Sequence, residues 1–250
     1  MEPRYDSIGR GYSRFRRRDP RIAAAIEDAL GDAATVLDVG SGTGSYQPAR
    51  GRVVALEPSR TMIDQRAPGA APVVQGVAEH LPFPDDSFDA TLAVLTTHHW
   101  PDHRAGLREL VRVSGSQVIL TWDAELTARF WLVADYLPEI AAHEMQMPTL
   151  DDVTEALLAT DVRPVPVPAD CLDGFFGAYW RRPEQYLDPD VRQSISAFAF
   201  CDPPAVTAAM ARLQADLESG RWSARHRDLL AREELDLGYR LVVARGLATD

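Results

Sequence analysis

Residues 36–59 read VLDVGSGTGSYQPARGRVVALEPS. An apolar run that carries Asp38 opens into glycines at alternate positions, and a second apolar run ends at Glu57. Glycine lets the backbone take a positive φ and approach a ligand without a Cβ in the way. In an open α/β sheet, ligands bind beyond the carboxyl ends of the strands, where the strand order reverses. The stretch therefore predicts a strand, a ligand-binding loop and a second strand.

The spacing of the glycines distinguishes two kinds of adenosine cofactor. A dinucleotide loop has the spacing GxGxxG, which brings a helix N-terminus to a pyrophosphate, whereas residues 40–44 read GSGTG. The carboxylate of Asp38 would repel a pyrophosphate but attract the positively charged amino group of a methionyl moiety. Glu57 can accept hydrogen bonds from both ribose hydroxyls. The pattern predicts S-adenosylmethionine rather than NAD, and a glycine turn without a ligand is the less favoured interpretation.

Apolar runs and helical periodicity alternate through the first half of the chain. Strands are predicted at residues 35–39, 53–56, 73–75, 90–95 and 117–122. Helices are predicted at residues 21–30, 61–65 and 103–113. Alternation of this kind is typical of a parallel, doubly wound sheet.

The second half of the chain has a different pattern. Helical spacing and two further strands are predicted there, with helices at 126–136 and 150–160, an irregular edge strand at 162–168 and a final strand at 237–243. We therefore expect one α/β domain with a doubly wound, mostly parallel seven-stranded sheet and a helical insertion before the last strand. Its expected parts are a cofactor-binding half (1–123), an acceptor-side and lid region (124–232), and a final strand with a tail (233–250).

Composition and charge argue against several classes of function. The net charge is −11, which disfavours nucleic acid as a partner because phosphate contacts need clustered Lys and Arg. The chain contains no lysine, so it cannot form a Schiff base with pyridoxal phosphate. No apolar run approaches the roughly 18 residues of a membrane helix, and the N-terminus has no secretory h-region. Cys171 and Cys201 lack the spacing of a metal site or a disulfide framework. We expect a cytoplasmic bacterial protein without membrane or metal binding.

Four segments carry a family resemblance. VLDVGSGTG, VVALEPS, VQGVAEHLPFPDDSFD and LRELVRV resemble the successive motifs of class I S-adenosylmethionine-dependent methyltransferases. The subgroup is the one with the ubiquinone/menaquinone C-methyltransferases and many small-molecule methyltransferases. The resemblance covers about residues 1–122. It implies the Rossmann-like fold of that class, S-adenosylmethionine as methyl donor, S-adenosylhomocysteine as product and a small-molecule acceptor.

The resemblance also implies which residues hold the cofactor. Asp38 and Gly40 would hold the methionyl end, Glu57 the ribose, and Met62 would pack on the adenine. The leading segment YDSIGRGYSRFRRRDP resembles one in which Tyr and Arg cap the cofactor's carboxylate, although a solvated basic face is the alternative. The full set expected at the cofactor is Tyr5, Tyr12, Arg16, Asp38, Gly40, Ser41, Gly42, Gly44, Glu57, Pro58, Met62, Ala78, Glu79 and Thr96.

The adenine end departs from the family pattern. By the resemblance, Ala78 gives its backbone amide to the ring, and the family usually has an acid just before it. This chain has Val77 there. Adenine would then be held by shape, by backbone groups or by Glu79.

The sequence LTTHHW at residues 95–100 follows the fourth predicted strand, where the subgroup has a related His-rich turn. Methyl transfer needs a positioned nucleophile and, where the acceptor carries a proton, a base. A histidine with a pKa near neutrality is a suitable base, and we expect His98 and His99 to share this role without choosing between them. The alternative is that one histidine caps the next helix and the other packs on the cofactor.

The insertion contains CLDGFFGAYWRR at residues 171–182. Two glycines among four aromatics suggest a mobile, aromatic-lined cover over an acceptor pocket, and core packing is the alternative. An aromatic or apolar acceptor would suit such a pocket, and Arg181 and Arg182 would suit an acidic group on it.

The most favoured function is methyl transfer from S-adenosylmethionine to a small molecule. Whether O, N, C or S is methylated stays open, as does the oligomeric state. One alternative is a protein of the same fold that binds the cofactor without methyl transfer, as a scaffold or a rearrangement catalyst. An NAD(P) oxidoreductase is less favoured because of the loop spacing.

Overall fold

The structure is a computed structural model that describes residues 12–246, with side chains from residue 14 onward. Its strands are β1 (Thr35–Val39), β2 (Arg52–Glu57), β3 (Val73–Gln75), β4 (Phe88–Val94), β5 (Ser114–Trp122), β6 (Asp161–Pro164), β7 (Val167–Pro168), β8 (Glu234–Leu235) and β9 (Tyr239–Arg245). Seven of them form one sheet in the order β3-β2-β1-β4-β5-β9-β6, and β7 pairs with β8. Strands β1 to β5 are parallel, and β9 runs antiparallel to both of its neighbours. The predicted fold class is confirmed.

Helices cover the sheet and make up most of the insertion. The α-helices are α1 (Tyr12–Phe15), α2 (Pro20–Leu30), α3 (Arg60–Ile63), α4 (His103–Val113), α5 (Ala124–Thr127), α6 (Glu139–Glu144), α7 (Leu150–Leu157), α8 (Pro189–Gln193), α9 (Pro203–Glu218), α10 (Arg221–Arg225) and α11 (Arg227–Leu230). Short 3₁₀ turns form at Thr97–His99, Pro183–Leu187 and Ser196–Phe200. Within residues 12–246, no helix is long and apolar enough to cross a membrane.

The central strands have the composition that a covered parallel sheet requires. Residues 36–39 of β1 are all buried, as are residues 90–93 of β4, because helices lie on both faces of the sheet. Helix α2 begins where Asp19 accepts a hydrogen bond from the Arg21 N–H at 2.9 Å, with Pro20 at the first helical position. These local signals explain why, for most helices and strands in this half, the predicted boundaries agree with the structure within one or two residues.

Two predictions in the second half were wrong in detail. The helix expected at 126–136 is broken after α5 and resumes as a π-helical turn, Leu132–Tyr136, whose last bond runs from the Leu137 N–H to the Leu132 carbonyl at 3.0 Å. The strand expected at 162–168 divides into β6, at the edge of the main sheet, and β7. Prolines lack a donor, so Pro164 and Pro168 are tolerated only at such edges.

The carboxyl ends of β1, β2 and β4 lie side by side because these strands are parallel neighbours. The loops that follow them hold the glycines, Glu57 and the two adjacent histidines. Two cavities lie at this edge, and residues of the insertion and of the final strand β9 line one of them.

Candidate active site

The loop after β1 has a backbone that glycine alone accommodates at one position. Gly40 has φ +67°, and a Cβ on it would lie 2.1 Å from the Oγ1 of Thr96. Its N–H donates to the Leu56 carbonyl at 2.8 Å, which folds the loop over the end of β2. Gly42 and Gly44 also have positive φ. The glycine spacing read from the sequence thus corresponds to a tight turn in contact with the loop after β4.

Arg66 supports this loop, although the sequence pattern did not point to it. Its Nη1 donates to the Ser41 Oγ at 3.0 Å and to the Gly42 carbonyl at 3.1 Å. Its Nη2 donates to the Gln47 Oε1 at 3.3 Å. Burial lowers the pKa of Arg66, and the negative charges of the two neighbouring acids oppose that shift. A lone arginine just after a short helix has no distinctive spacing, so only the structure shows this role.

The two acids expected at the cofactor are both buried at the strand ends. Asp38 is 4% exposed, and burial raises its pKa to about 7, with Arg66 opposing the shift and Glu57 adding to it. Glu57 accepts hydrogen bonds from the Gly42 N–H at 2.8 Å and from the Ser59 N–H at 2.9 Å. A buried carboxylate with a raised pKa gains free energy when a positive group binds beside it.

A cavity of about 880 Å³, counted with its opening to solvent, lies at these strand ends, and we call it the loop cavity. The expected residues that line it are Arg16, Asp38, Gly40, Ser41, Glu57, Pro58, Met62, Ala78, Glu79, Thr96 and His99. Gly42 and Gly44 shape the loop without lining the cavity. Tyr5 lies outside the described residues, and so does the side chain of Tyr12. The buried Asp38 fits an ammonium group, and the buried Met62 and Ala78 fit a flat ring, as in S-adenosylmethionine.

The adenine end of the loop cavity has no acid at the expected position. Val77 borders the cavity with 44% of its surface exposed. Glu79 also borders it, but its Oε1 accepts a hydrogen bond from the Asp102 N–H at 3.3 Å, just before α4. The structure therefore has no acid at position 77 for an adenine amino group, and Glu79 already accepts a hydrogen bond from the backbone.

A second cavity, of about 660 Å³ with its opening, adjoins the first, and both are lined by Arg16 and Leu95. We call it the aromatic cavity because its walls include Trp122, Phe175, Phe176, Phe200 and Tyr239. Leu95 has φ +50°, a conformation that is rare for a bulky residue. Such strain is often found at functional sites.

The two adjacent histidines line different cavities. They lie on the 3₁₀ turn Thr97–His99, and their ring centroids are 3.7 Å apart. His99 lines the loop cavity, whereas His98 lines the aromatic cavity and packs edge-on against Trp122 at 4.6 Å. The alternative of a histidine that caps α4 does not apply, because the Asp102 side chain accepts from the Ala105 N–H at 2.9 Å.

Glu144 is a polar residue of the aromatic cavity that the sequence pattern missed. It is 7% exposed, and burial raises its pKa to about 7, while a hydrogen bond with the Trp122 side chain opposes the shift. The only signal in the sequence was that Glu144 lies four residues after Ile140, a spacing that places both residues on one face of α6. Ile140 is also buried.

The predicted cover is packed more tightly than expected. Phe175 and Phe176 do line the aromatic cavity. A Cβ on Gly174 would lie 2.8 Å from the Phe15 carbonyl, and one on Gly177 would lie 2.7 Å from Leu237 Cδ1. The two glycines therefore allow close packing, which favours the alternative of core packing for this segment.

The structure does not bring Arg181 and Arg182, the expected contacts for an acidic acceptor, to the two cavities described above. Neither lines the loop cavity or the aromatic cavity. Arg181 donates to the Arg232 carbonyl at 2.7 Å, and Arg182 donates to the Cys171 carbonyl at 2.7 Å while lying 5.0 Å from the centre of the Tyr179 ring. Both guanidinium groups tie parts of the insertion together.

Comparison with known proteins gives consistent matches. The family model described as "Methyltransferase domain" matches residues 37–120. The structure of a protein described as a methyltransferase from an antibiotic biosynthesis pathway of Anabaena variabilis is 33% identical, covers 92% of this chain and 98% of that one, and superposes with a TM-score of 0.84.

Two curated relatives align over shorter stretches. The demethylmenaquinone methyltransferase of Mycolicibacterium paratuberculosis is 29% identical over 178 residues, which cover 68% of this chain and 76% of that protein. The uncharacterized methyltransferase YcgJ of Bacillus subtilis is 32% identical over 115 residues. This chain spans 42% of the length of YcgJ.

Proposed function

Because the chain belongs to the class I S-adenosylmethionine-dependent methyltransferases, we propose that it methylates a small molecule bound in the aromatic cavity. The observation that carries this proposal is the junction of the two cavities at Arg16 and Leu95. An acceptor in the aromatic cavity would lie next to a methyl donor in the loop cavity.

The residues of the loop cavity would each hold one part of the donor. When bound, S-adenosylmethionine supplies a methyl group on a positively charged sulfur. Asp38 would bind the ammonium group, Glu57 the ribose hydroxyls, and Met62 with Ala78 the adenine. Gly40, Ser41, Pro58 and Thr96 would form the surrounding wall, with Gly42 and Gly44 setting the turn.

Arg16 would contact the donor's carboxylate and also organise the junction. Its Nε and Nη2 are directed at Asp173, 2.8 Å and 3.3 Å away. A guanidinium has five N–H donors in a planar fork, and Arg16 lines both cavities. This arrangement would place a positive charge near the carboxylate without leaving Arg16 dependent on the ligand for a partner.

The two histidines would have different tasks. His98 would contact the acceptor, because its side chain lines the aromatic cavity. His99 would contact the donor from the loop cavity. If a histidine takes the acceptor's proton, the position of His98 makes it the better candidate of the two.

The acceptor class is proposed from the walls of the cavity. Five aromatic side chains favour a flat or apolar molecule. The relative from Mycolicibacterium is a demethylmenaquinone methyltransferase, and an acceptor of similar shape suits these walls. The net charge of −11 supports the exclusion of nucleic acid as acceptor, and a cytoplasmic location belongs to the same proposal.

A labelling experiment tests this function. The purified protein is incubated with methyl-labelled S-adenosylmethionine and the small-molecule fraction of a producing strain. We expect label in a compound that gains the mass of one CH₂ and that accumulates unmethylated when the gene is deleted. Asp38→Ala is the inactive control. Label found in protein or nucleic acid alone would contradict the proposal.

A further inference from the structure

Glu144 places a buried carboxyl group at the wall of the aromatic cavity. Its residue is 7% exposed, and its Oε2 has no hydrogen-bond partner among residues 12–246. A polar atom in that position loses its hydration without a compensating bond, which is costly unless a ligand supplies a donor. The proposed methyl transfer does not by itself assign Glu144 a role.

The ionisable groups around Glu144 do not neutralise it by contact. Those that line the same cavity are Arg16, His98, His143 and Tyr239. Arg16 is held in an ion pair with the insertion, and the pKa of Tyr239 is raised chiefly by burial, so that its hydroxyl is neutral. Burial raises the pKa of Glu144 to about 7, and both its neutral and ionised forms exist near neutral pH.

The walls near Glu144 include flat aromatic faces. His143 and Phe200 pack with their ring centroids 3.6 Å apart and their planes 32° from each other. Phe176 and Trp122 add further aromatic surface. A planar ligand gains contact area against such faces, and a single polar group then fixes its orientation.

We propose that Glu144 binds the acceptor's polar hydrogen and takes it as a proton, and that the acceptor is a flat aromatic molecule with an O–H or neutral N–H group. This inference rests on the proposed function. It assigns the role of base to Glu144 rather than to His98. It also narrows the acceptor to compounds that have both a ring and a proton to give.

The transfer balances with Glu144 as proton acceptor. A lone pair on the acceptor's oxygen or nitrogen forms the new bond to the methyl carbon, and the carbon–sulfur bond breaks with its electron pair moving to sulfur. The acceptor's proton moves to the ionised Glu144 carboxylate. One positive charge on sulfur and one negative charge on Glu144 are lost together, so the step creates no new charge in the buried site.

Binding of 2-naphthol tests this without any methyl transfer. The probe is planar, has one O–H group, and emits at different wavelengths when that group is neutral or deprotonated. It is titrated into the full-length protein with saturating S-adenosylhomocysteine at about pH 8, where Glu144 is ionised. The matched probe 2-methoxynaphthalene lacks the O–H. The matched variant is Glu155→Gln, which makes the same substitution at an exposed position of α7.

We expect Glu144→Gln to weaken 2-naphthol binding about tenfold, because a bond to a charged acceptor is replaced by a bond to a neutral one. Emission from the deprotonated probe should fall in that variant only. Glu155→Gln should match the wild type, and 2-methoxynaphthalene should bind all three proteins equally.

Three results would overturn the inference. They are equal 2-naphthol affinity in Glu144→Gln and wild type, a parallel loss of 2-methoxynaphthalene binding, and no 2-naphthol binding to the wild type. If Glu144→Gln does not fold, the pH dependence of probe binding to the wild type tests the inference. Its affinity for 2-naphthol should rise from about pH 6 to about pH 8 while that for 2-methoxynaphthalene stays level, and two level profiles would count against Glu144. These binding results can be interpreted even if the labelling experiment is negative, because they do not depend on methyl transfer.

Discussion

Arg16 and Asp173, 157 residues apart in the chain, form a buried ion pair at the junction of the two cavities. The Nε of Arg16 lies 2.8 Å from Oδ1 of Asp173, whose side chain is fully buried. The same oxygen accepts from the backbone N–H groups of Arg17 at 3.1 Å and Gly174 at 2.8 Å. The pair therefore joins the N-terminal segment to the insertion at the point where donor and acceptor would meet.

Replacing Asp173 by Asn should destabilise the protein strongly. The change removes the charge of Asp173 from beside the buried Arg16 guanidinium, and breaking a buried pair in this way typically costs about 3–5 kcal/mol of unfolding free energy. Urea unfolding measures the loss. Asp190→Asn is the control, because its pair with Arg14 is exposed and should contribute nothing measurable. Equal stability of the two variants would show that the buried pair contributes little.

Gly40→Ala should abolish binding of S-adenosylmethionine. The new Cβ would lie 2.1 Å from Thr96 Oγ1, so the loop or the Thr96 segment must move. Gly220→Ala is the control, because Gly220 also has a positive φ but nothing within 4 Å of the added Cβ. It should cost only about 1–2 kcal/mol of stability and leave binding intact. Calorimetry compares the two, and wild-type affinity in Gly40→Ala would refute the role given to the loop.

The affinity for S-adenosylmethionine should rise as the pH passes through about 7. The pKa of Asp38 is raised to about 7 in the ligand-free protein by burial, with Arg66 opposing and Glu57 adding to the shift. Only the ionised carboxylate attracts the ligand's ammonium group, so binding is weaker below that pH. Calorimetry from about pH 6 to about pH 8 follows the change. Asp38→Asn should bind at least about tenfold more weakly with a flatter profile, and an unchanged profile in this variant would assign the pH dependence elsewhere.

Glu144→Gln should stabilise the ligand-free protein at alkaline pH. The folded-state pKa of about 7 lies above the ordinary value of 4.5, so this group's contribution to stability is complete below pH 4.5 and is lost as the pH rises to 7. The loss is roughly 3 kcal/mol for a shift of this size. Unfolding free energies of wild type and variant should therefore diverge between those pH values. Glu155→Gln should follow the wild type, and parallel curves for Glu144→Gln would contradict the raised pKa.

The acceptor found by labelling allows the histidines and Glu144 to be compared. Glu144→Gln should lower the single-turnover rate by about 10²–10⁴-fold, as expected for the loss of a general base. His98→Asn should mainly raise the acceptor's KM, and His99→Asn should mainly weaken donor binding, because they line different cavities. A large rate loss in His98→Asn with near-normal turnover in Glu144→Gln would return the role of base to the histidine.

Local sequence spacing was sufficient to predict the half of the molecule that binds the methyl donor. The strands β1 to β5 each have their own apolar run, and the glycines of residues 40–44 need a turn whatever surrounds them. Asp38 and Glu57 could be placed together because parallel strands bring their carboxyl ends to one edge. These features depend on residues close in sequence, so the chain alone predicted the fold and the donor.

The acceptor side was decided by tertiary structure. The aromatic cavity is built from the β4 loop, β5, α6, the insertion and β9, whose relative positions no local period encodes. Glu144, buried by that packing, looks in sequence like any acid at the end of a short helix, while Arg181 and Arg182 look available but are bound to backbone carbonyls. Burial and partner choice depend on contacts between distant segments, and these contacts set the chemistry of the proposed acceptor site.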